Sequence, residues 1–170
     1  MKKLFSVFML CLALASCGFT LRSQNDIPAQ MRQLYLQSNT PYAQFESSLR
    51  QTLTLLKVNV VSTPTGAPIT LGILSTSFNY SAPNLSTSTQ AQSFTYTYTV
   101  TFQVLTNKGK ILLPPKTIYA TGILILQPNE ILGSNVETNI LEQQLQQSCL
   151  NQILYILGSA QLKHALAKVP

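Results

Sequence analysis

Phe94-Thr95-Tyr96-Thr97-Tyr98-Thr99-Val100-Thr101-Phe102-Gln103-Val104-Leu105 alternates without a break. Phe94, Tyr96, Tyr98, Val100, Phe102 and Val104 share one parity; Thr95, Thr97, Thr99, Thr101 and Gln103 share the other. Side chains leave a strand alternately to opposite faces, so this stretch predicts a β-strand with one apolar and one hydroxyl-bearing face. Asn107-Lys108-Gly109-Lys110 supplies hairpin-turn chemistry, and residues 111–126 return antiparallel, interrupted by Pro114 and Pro115. Near the end of that return, Tyr119, Ile123 and Ile125 alternate with Ile118, Ala120, Leu124 and Leu126, so both faces are apolar. One face can sit beneath helices; the other needs cover from a loop, a partner or lipid.

Upstream, Thr63-Pro64-Thr65-Gly66-Ala67-Pro68 is a turn, followed by Ile69, Leu71 and Ile73 in alternation. The phase then changes to Leu74, Phe78 and Tyr80, which predicts a bulge or bend near Gly72. Residues 81–92, with Pro83, Asn84 and a run of serine and threonine, are expected to form a loop. Met31-Arg32-Gln33-Leu34-Tyr35-Leu36 looks extended. Thr40 as N-cap and Pro41 at the first helical position predict a helix whose apolar face is Tyr42, Phe45, Leu49, Leu53 and Leu56. It should stop near Lys57, where Val58, Val60 and Val61 turn β-branched.

A last helix is expected from the capping box Ser134 and Glu137, with Val136, Ile140, Leu141, Leu145, Cys149, Ile153 and Ile156 inward and Gly158 at its end. Residues 159–170, with the sole histidine His164, are expected to be a loosely ordered tail. No internal repeat is evident. The order of elements predicts an α+β domain, two helices packed on one face of a roughly four-stranded, mainly antiparallel sheet.

At the N-terminus, Lys2 and Lys3 precede an apolar segment from Leu4 to about Ala15, and Leu14-Ala15-Ser16-Cys17 closes it. The segment is too short for a spanning helix, which needs roughly 20 apolar residues. The pattern is that of a lipoprotein signal: residues 1–16 would be removed, and Cys17 would carry a thioether-linked diacylglyceryl group and an acylated amine of palmitate type. At ~0.8 kcal/mol per buried methylene, several chains make such an anchor effectively permanent. Gly18 in place of an aspartate favours the outer membrane over retention in the inner one. Residues 17–170 then form a single domain, and loss of Lys2 and Lys3 takes the formal charge from +6 to +4. Cys11 leaves with the signal and Cys17 carries lipid. Cys149 is thus left alone, expected as a buried small hydrophobe rather than a reactive thiol.

Catalytic chemistry is sparse. There is no G-x-S-x-G elbow, H-E-x-x-H pair, C-x-x-C spacing or phosphate-cradling glycine loop, and Asp26, Glu46, Glu130, Glu137 and Glu142 are scattered. No metal or cofactor beyond the lipid on Cys17 is expected. The basic residues do not interleave with aromatics, which argues against nucleic acid. Binding or structural work is the default. Lys108, Lys110 and Lys116 are the nearest concentration of positive charge and the candidate contact for an anionic glycolipid. Ile123 and Ile125 are the candidate partner contact.

Taken together the residues resemble the LptE family, the lipoprotein partner of the lipopolysaccharide translocon of the outer membrane. The resemblance rests on Cys17-Gly18-Phe19-Thr20-Leu21-Arg22, Ile27-Pro28 with Met31, the unit from Pro41 to Val61, the threonine-rich strand, and Ile131-Leu132-Gly133 before Val136-Glu137. Thr20 departs from the histidine frequent in the family's opening motif. The resemblance implies a non-enzymatic domain that plugs the lumen of the LptD β-barrel, assists its assembly and meets lipopolysaccharide on its way to the surface. It places basic residues, in some relatives, where this chain has Ser86 and Ser134. The alternative is a periplasmic lipid-binding or envelope-adhesion lipoprotein without a barrel, using the strand from Ile118 to Leu126 as its contact.

Overall fold

The computed structural model describes residues 27–40, 43–81, 92–126 and 134–168. Five strands, β1 (Gln33–Ser38), β2 (Asn59–Val61), β3 (Ile69–Ser81), β4 (Gln92–Thr106) and β5 (Ile111–Leu126), form one sheet in the order β2-β1-β3-β4-β5. Three helices, α1 (Gln44–Leu55), α2 (Ser134–Leu157) and α3 (Ala160–Ala167), complete the described elements of an α+β fold. The expected fold class holds, with a short fifth strand at the edge. β3, β4 and β5 are antiparallel, while β1 runs parallel to both neighbours, so β1, α1 and β2 make a parallel crossover unit.

β4 behaves as its alternation demands. Tyr96, Tyr98, Val100, Phe102 and Val104 are buried on the helix side, against Phe45, Leu49 and Leu53 of α1 and the apolar side of α2. Burial of each large side chain removes roughly 1.5–3 kcal/mol of unfavourable apolar exposure, which fixes the register because a one-residue slip would turn the whole set to water. The phase change in β3 is a bulge: the β3–β4 register shifts between Ile73 and Ser75. Leu74 is the extra residue, and Phe78 and Tyr80 thereby stay beside Tyr98 and Tyr96.

Two helix boundaries differ from expectation. Ala43 occupies the N-cap of α1 and makes no side-chain cap. Thr40 is diverted, its Oγ1 donating to Glu46 Oε1 at 3.1 Å beside Ser38 Oγ at 2.8 Å, while Pro41 and Tyr42 lie outside the described residues. Residues 159–168 are not a loose tail. Ser159 Oγ accepts from Leu162 N, and α3 buries Leu162 and Leu166 in the core. A single i, i+4 leucine pair is too short a periodic signal to announce an eight-residue helix; tertiary burial supplies what propensity does not. In α2, Val136 and Ile140 are exposed, and the buried face runs through Leu145, Cys149, Leu150, Ile153, Leu154 and Leu157. Ser134 opens α2, with its side chain outside the described residues.

A Cβ at Gly122 would stand 2.6 Å from Leu141 Cδ1, the flexible end of a half-buried side chain, and 3.5 Å from Leu145 Cδ2. Gly122→Val is expected to displace the Leu141 side chain and crowd Leu145, costing about 1 kcal/mol in chemical unfolding. The end of α1 stores the opposite opportunity. Val58 N donates to Leu53 O and Lys57 N to Thr54 O, a two-bond C-cap that puts Lys57 at φ +60°. Lys57→Gly should relieve that left-handed backbone and raise stability by about 0.5–1 kcal/mol, read as a higher denaturation midpoint.

Candidate functional site

With all three α-helices on one side, the other side of the sheet carries no α-helix among the described residues; the single turn Pro64–Gly66 reaches it where Gly66 O accepts from Gln33 Nε2, and Thr70 is buried there. Register assigns to it Gln33, Tyr35 and Gln37 of β1, Ser75, Ser77, Asn79 and Ser81 of β3, and Thr95, Thr97, Thr99 and Thr101 of β4. On β5 the same side carries Thr117, Tyr119, Thr121, Ile123 and Ile125. No charged side chain falls on this face within the strands. Thr101 and Thr117 share a hydrogen bond at 3.0 Å across β4 and β5, so part of the hydroxyl surface is tied down.

β5 is also the sheet's edge. Its far half presents Tyr119, Ile123 and Ile125, each more than 60% exposed, while Ile118 and Ala120 turn inward. The expected candidate contact, Ile123 and Ile125, is therefore an apolar ridge on an edge strand bordering a neutral polar face. Gln152 of α2 donates Nε2 to the Tyr119 carbonyl at 3.1 Å and occupies one acceptor of that strand. The candidate lysines are all exposed. Lys108 and Lys110 flank Gly109, at φ +79°, in the hairpin turn. Lys116 follows the irregular Pro114-Pro115 stretch and pairs with Phe102, which sets it on the helix side. The hairpin end thus holds Lys108 and Lys110, with Lys116 further along β5, all three apart from the Ile123 and Ile125 ridge. Cys17, Ser86 and the Ser134 side chain lie outside the described residues.

Buried ionisable groups cluster behind β4. The Cys149 thiol, fully buried, contacts the Tyr98 carbonyl at 3.6 Å. Burial pushes it up from 9.0 to about 11, offset in part by a backbone hydrogen bond at Ala120. Burial likewise pushes Tyr98 up from 10.0 to about 12, against a lowering hydrogen bond from Thr76. Glu46 is buried with Oε1 shared by two hydroxyls. Among the described residues no group of three or more His, Cys, Asp or Glu side chains converges on a metal-sized site, and His164 is exposed on α3. A groove of about 260 Å³ between α1 and α2 is lined mainly by amides, Gln44, Gln143, Gln146 and Gln147, a surface for hydrogen bonding rather than bond breaking.

The lipopolysaccharide-assembly family LptE matches residues 31–155, which include β1 to β5, α1 and nearly all of α2. The chain belongs to the LptE family. The LPS-assembly lipoprotein LptE of Pectobacterium atrosepticum is 30% identical over 163 residues, covering 89% of this chain and 84% of that protein. The LptE of Yersinia enterocolitica is 27% identical, covering 91% and 75%. Among solved structures, lipoprotein B from Nitrosomonas europaea aligns with a TM-score of 0.70 at 23% identity over 86% of this chain and 96% of that one. A minor lipoprotein from Acinetobacter baumannii aligns at 0.65 and 19%, over 77% and 93%. These two likenesses establish the shared fold. No helix among the described residues of this LptE-family chain is long and apolar enough to cross a membrane.

Sequence reasoning found Cys149 and the apolar ridge. The neutral character of the surface is legible in a composition whose polarity comes mostly from glutamine, asparagine, serine and threonine; its gathering on one face of β1, β3, β4 and β5 is not, because only β4 announces it. Raised acids that are neutral when protonated stabilise the fold below their unfolded values and lose that contribution as pH rises through the folded ones. The urea midpoint should therefore fall from about pH 9 upward, first with Cys149 and then with Tyr98, and level near pH 12. Cys149→Ala should remove the earlier part of the decline, and native Cys149 should resist thiol reagents until the chain unfolds.

Proposed function

We propose that this LptE-family chain is a non-enzymatic lipoprotein, anchored through Cys17 at the periplasmic face of the outer membrane, that fills the lumen of the LptD β-barrel, assists its assembly and takes part in lipopolysaccharide delivery. The observation that carries the reading is the sheet face free of charge, lined by serine and threonine hydroxyls. A wet barrel lumen offers hydrogen-bonding partners over a wide area. Neutral hydroxyls can exchange water for such partners without the desolvation cost that lysines or glutamates would carry. The mechanism is enclosure: a rigid sheet occupies the space around which the barrel closes, and geometric fit replaces bond-making. Ile123 and Ile125 on the β5 edge provide the apolar part of the contact, where an edge strand can also accept main-chain hydrogen bonds from a partner.

The exposure of Ile123 and Ile125 also supports a second reading, a lipoprotein that presents this strand to lipid without a barrel. Photo-crosslinkers at positions 123 and 125 separate the two. The barrel reading expects a large protein adduct at both positions in cells and co-purification of an outer-membrane barrel after mild detergent extraction. Lipid adducts alone, with recovery as a lone monomer, would support the second. Ile123→Glu should reduce recovery of mature barrel several-fold, since an unpaired carboxylate would have to be buried at the contact.

A further inference from the structure

The topology sorts most of the described charges to opposite ends of the sheet, with Arg50 in the middle of α1 between them. Asn107 N donates to Pro68 O, so the β4–β5 hairpin turn lies where β3 begins, and β1, parallel to β3, begins there too. α2 runs back toward this end. Leu141 lies over Gly122, Cys149 meets Tyr98 O and Gln152 meets Tyr119 O, which delivers α3 beside the start of β5. Lys108 and Lys110 are consequently joined by Lys163 and Lys168 at α3 and by Arg32 at the head of β1, all exposed. Lys57, where α1 ends, is at the same end. Lys116 stands further along the sheet, level through Phe102 and Ile73 with Ser38 and hence with Glu46, while Glu137 and Glu142 sit toward the other end. Glu46 is in the first turn of α1 beside Ser38, and Glu137 and Glu142 are in the first half of α2.

The lipid attachment expected at Cys17 falls on the cationic end. Ile27, the first described residue, leads through the turn Ala29–Met31 into the start of β1. Ten residue-to-residue steps separate it from Cys17 and can span at most about 36 Å, whereas the fifteen residues of β4 extend over roughly 50 Å. The tether therefore holds the lysine-bearing end nearest the leaflet and leaves Glu137 and Glu142 farthest from it.

From this we infer that the cationic end is a docking surface for the anionic phospholipid headgroups of the leaflet that holds the acyl chains. The inference rests on the anchor placed at Cys17 under the proposed function. The cations are distributed over a turn, a strand start and a short helix across a blunt end, which matches a plane of headgroup phosphates better than the paired phosphates of one glycolipid molecule. Chains in the bilayer and cations on its surface then act as two signals, and together they set the direction of the sheet relative to the membrane.

The test uses an unacylated chain beginning at Gly18, which retains every core side chain because the core is drawn from residues 27 to 166. This chain should co-sediment with vesicles containing phosphatidylglycerol, not with phosphatidylcholine vesicles, and the binding should fade as salt rises. Changing Lys108, Lys110, Lys163 and Lys168 to glutamine should weaken it at least ~tenfold, at roughly fivefold per lysine for residues that touch the surface, with the unfolding midpoint unchanged. Glu137→Gln, at the other end, should leave it unaltered. Absence of phosphatidylglycerol binding, equal binding by the quadruple variant, or binding to lipopolysaccharide aggregates alone would overturn the inference. Because no acyl chain is present in this assay, its failure is separable from failure of the anchor, which mass spectrometry of the native chain reads independently.

Discussion

Tyr96, Tyr98, Val100, Phe102 and Val104 of β4 are buried on one side of the sheet, and a strand that commits five consecutive inward positions commits the outward ones as well. The helices have only one face on which to pack. α1 brings Phe45, Leu49 and Leu53 to it, α2 brings Leu145 through Leu157, and α3 closes the hairpin end with Leu162 and Leu166. At Gly122 β5 has no side chain, and Leu141 of α2 occupies the space a Cβ would take. The threonine face is thus the necessary complement of the core. Its lack of charge within the strands makes it a surface that can be covered by another polar wall at low desolvation cost.

How far the sequence discloses this depends on the range over which each signal acts. β4, the β4–β5 hairpin, the body of both long helices and the bulge after Ile73 are local, and periodicity exposes them. The insertion of β1 between β2 and β3 is not local. Leu34 pairs with both Val60 and Ile69, and nothing in a six-residue strand specifies which neighbours it takes. The start of α1 was obscured by competition for one hydroxyl. Thr40 is a good N-cap residue, yet a buried carboxylate eight residues after Ser38 draws both side chains to itself. α3 was hidden because two leucines four apart make a helix only when a core waits for them.

The functional surfaces divide in the same way. Cys149 could be placed in the core from its position on the α2 stripe, and Ile123 and Ile125 could be marked as surplus apolar residues on a strand already apolar on its other side. Lys163 and Lys168, over fifty residues from the hairpin, could not be joined to Lys108 and Lys110 by any spacing rule. Only the reversal of α2 along β5 brings them to one end. Residues 159–168, which look expendable in the sequence, supply both a plug for the core and part of the cationic surface.

The edge strand shows how these surfaces are kept apart. An open β-edge invites any extended chain to pair, and soluble proteins blunt such edges with proline, charge and irregular register. β5 carries all three in its first half, in Pro114, Pro115, Lys116 and the register shifts near Phe102 and Val104. In its middle, the Tyr119 carbonyl is engaged by Gln152. Beyond Tyr119 no such device appears among the described residues, and that is where Ile123 and Ile125 stand exposed. The capacity to accept a partner strand is therefore confined to the half of β5 away from the cationic end. A domain held at the membrane by its lysine-bearing end would project this receptive half outward, toward whatever structure surrounds it, and the two surfaces would not compete for the same neighbour.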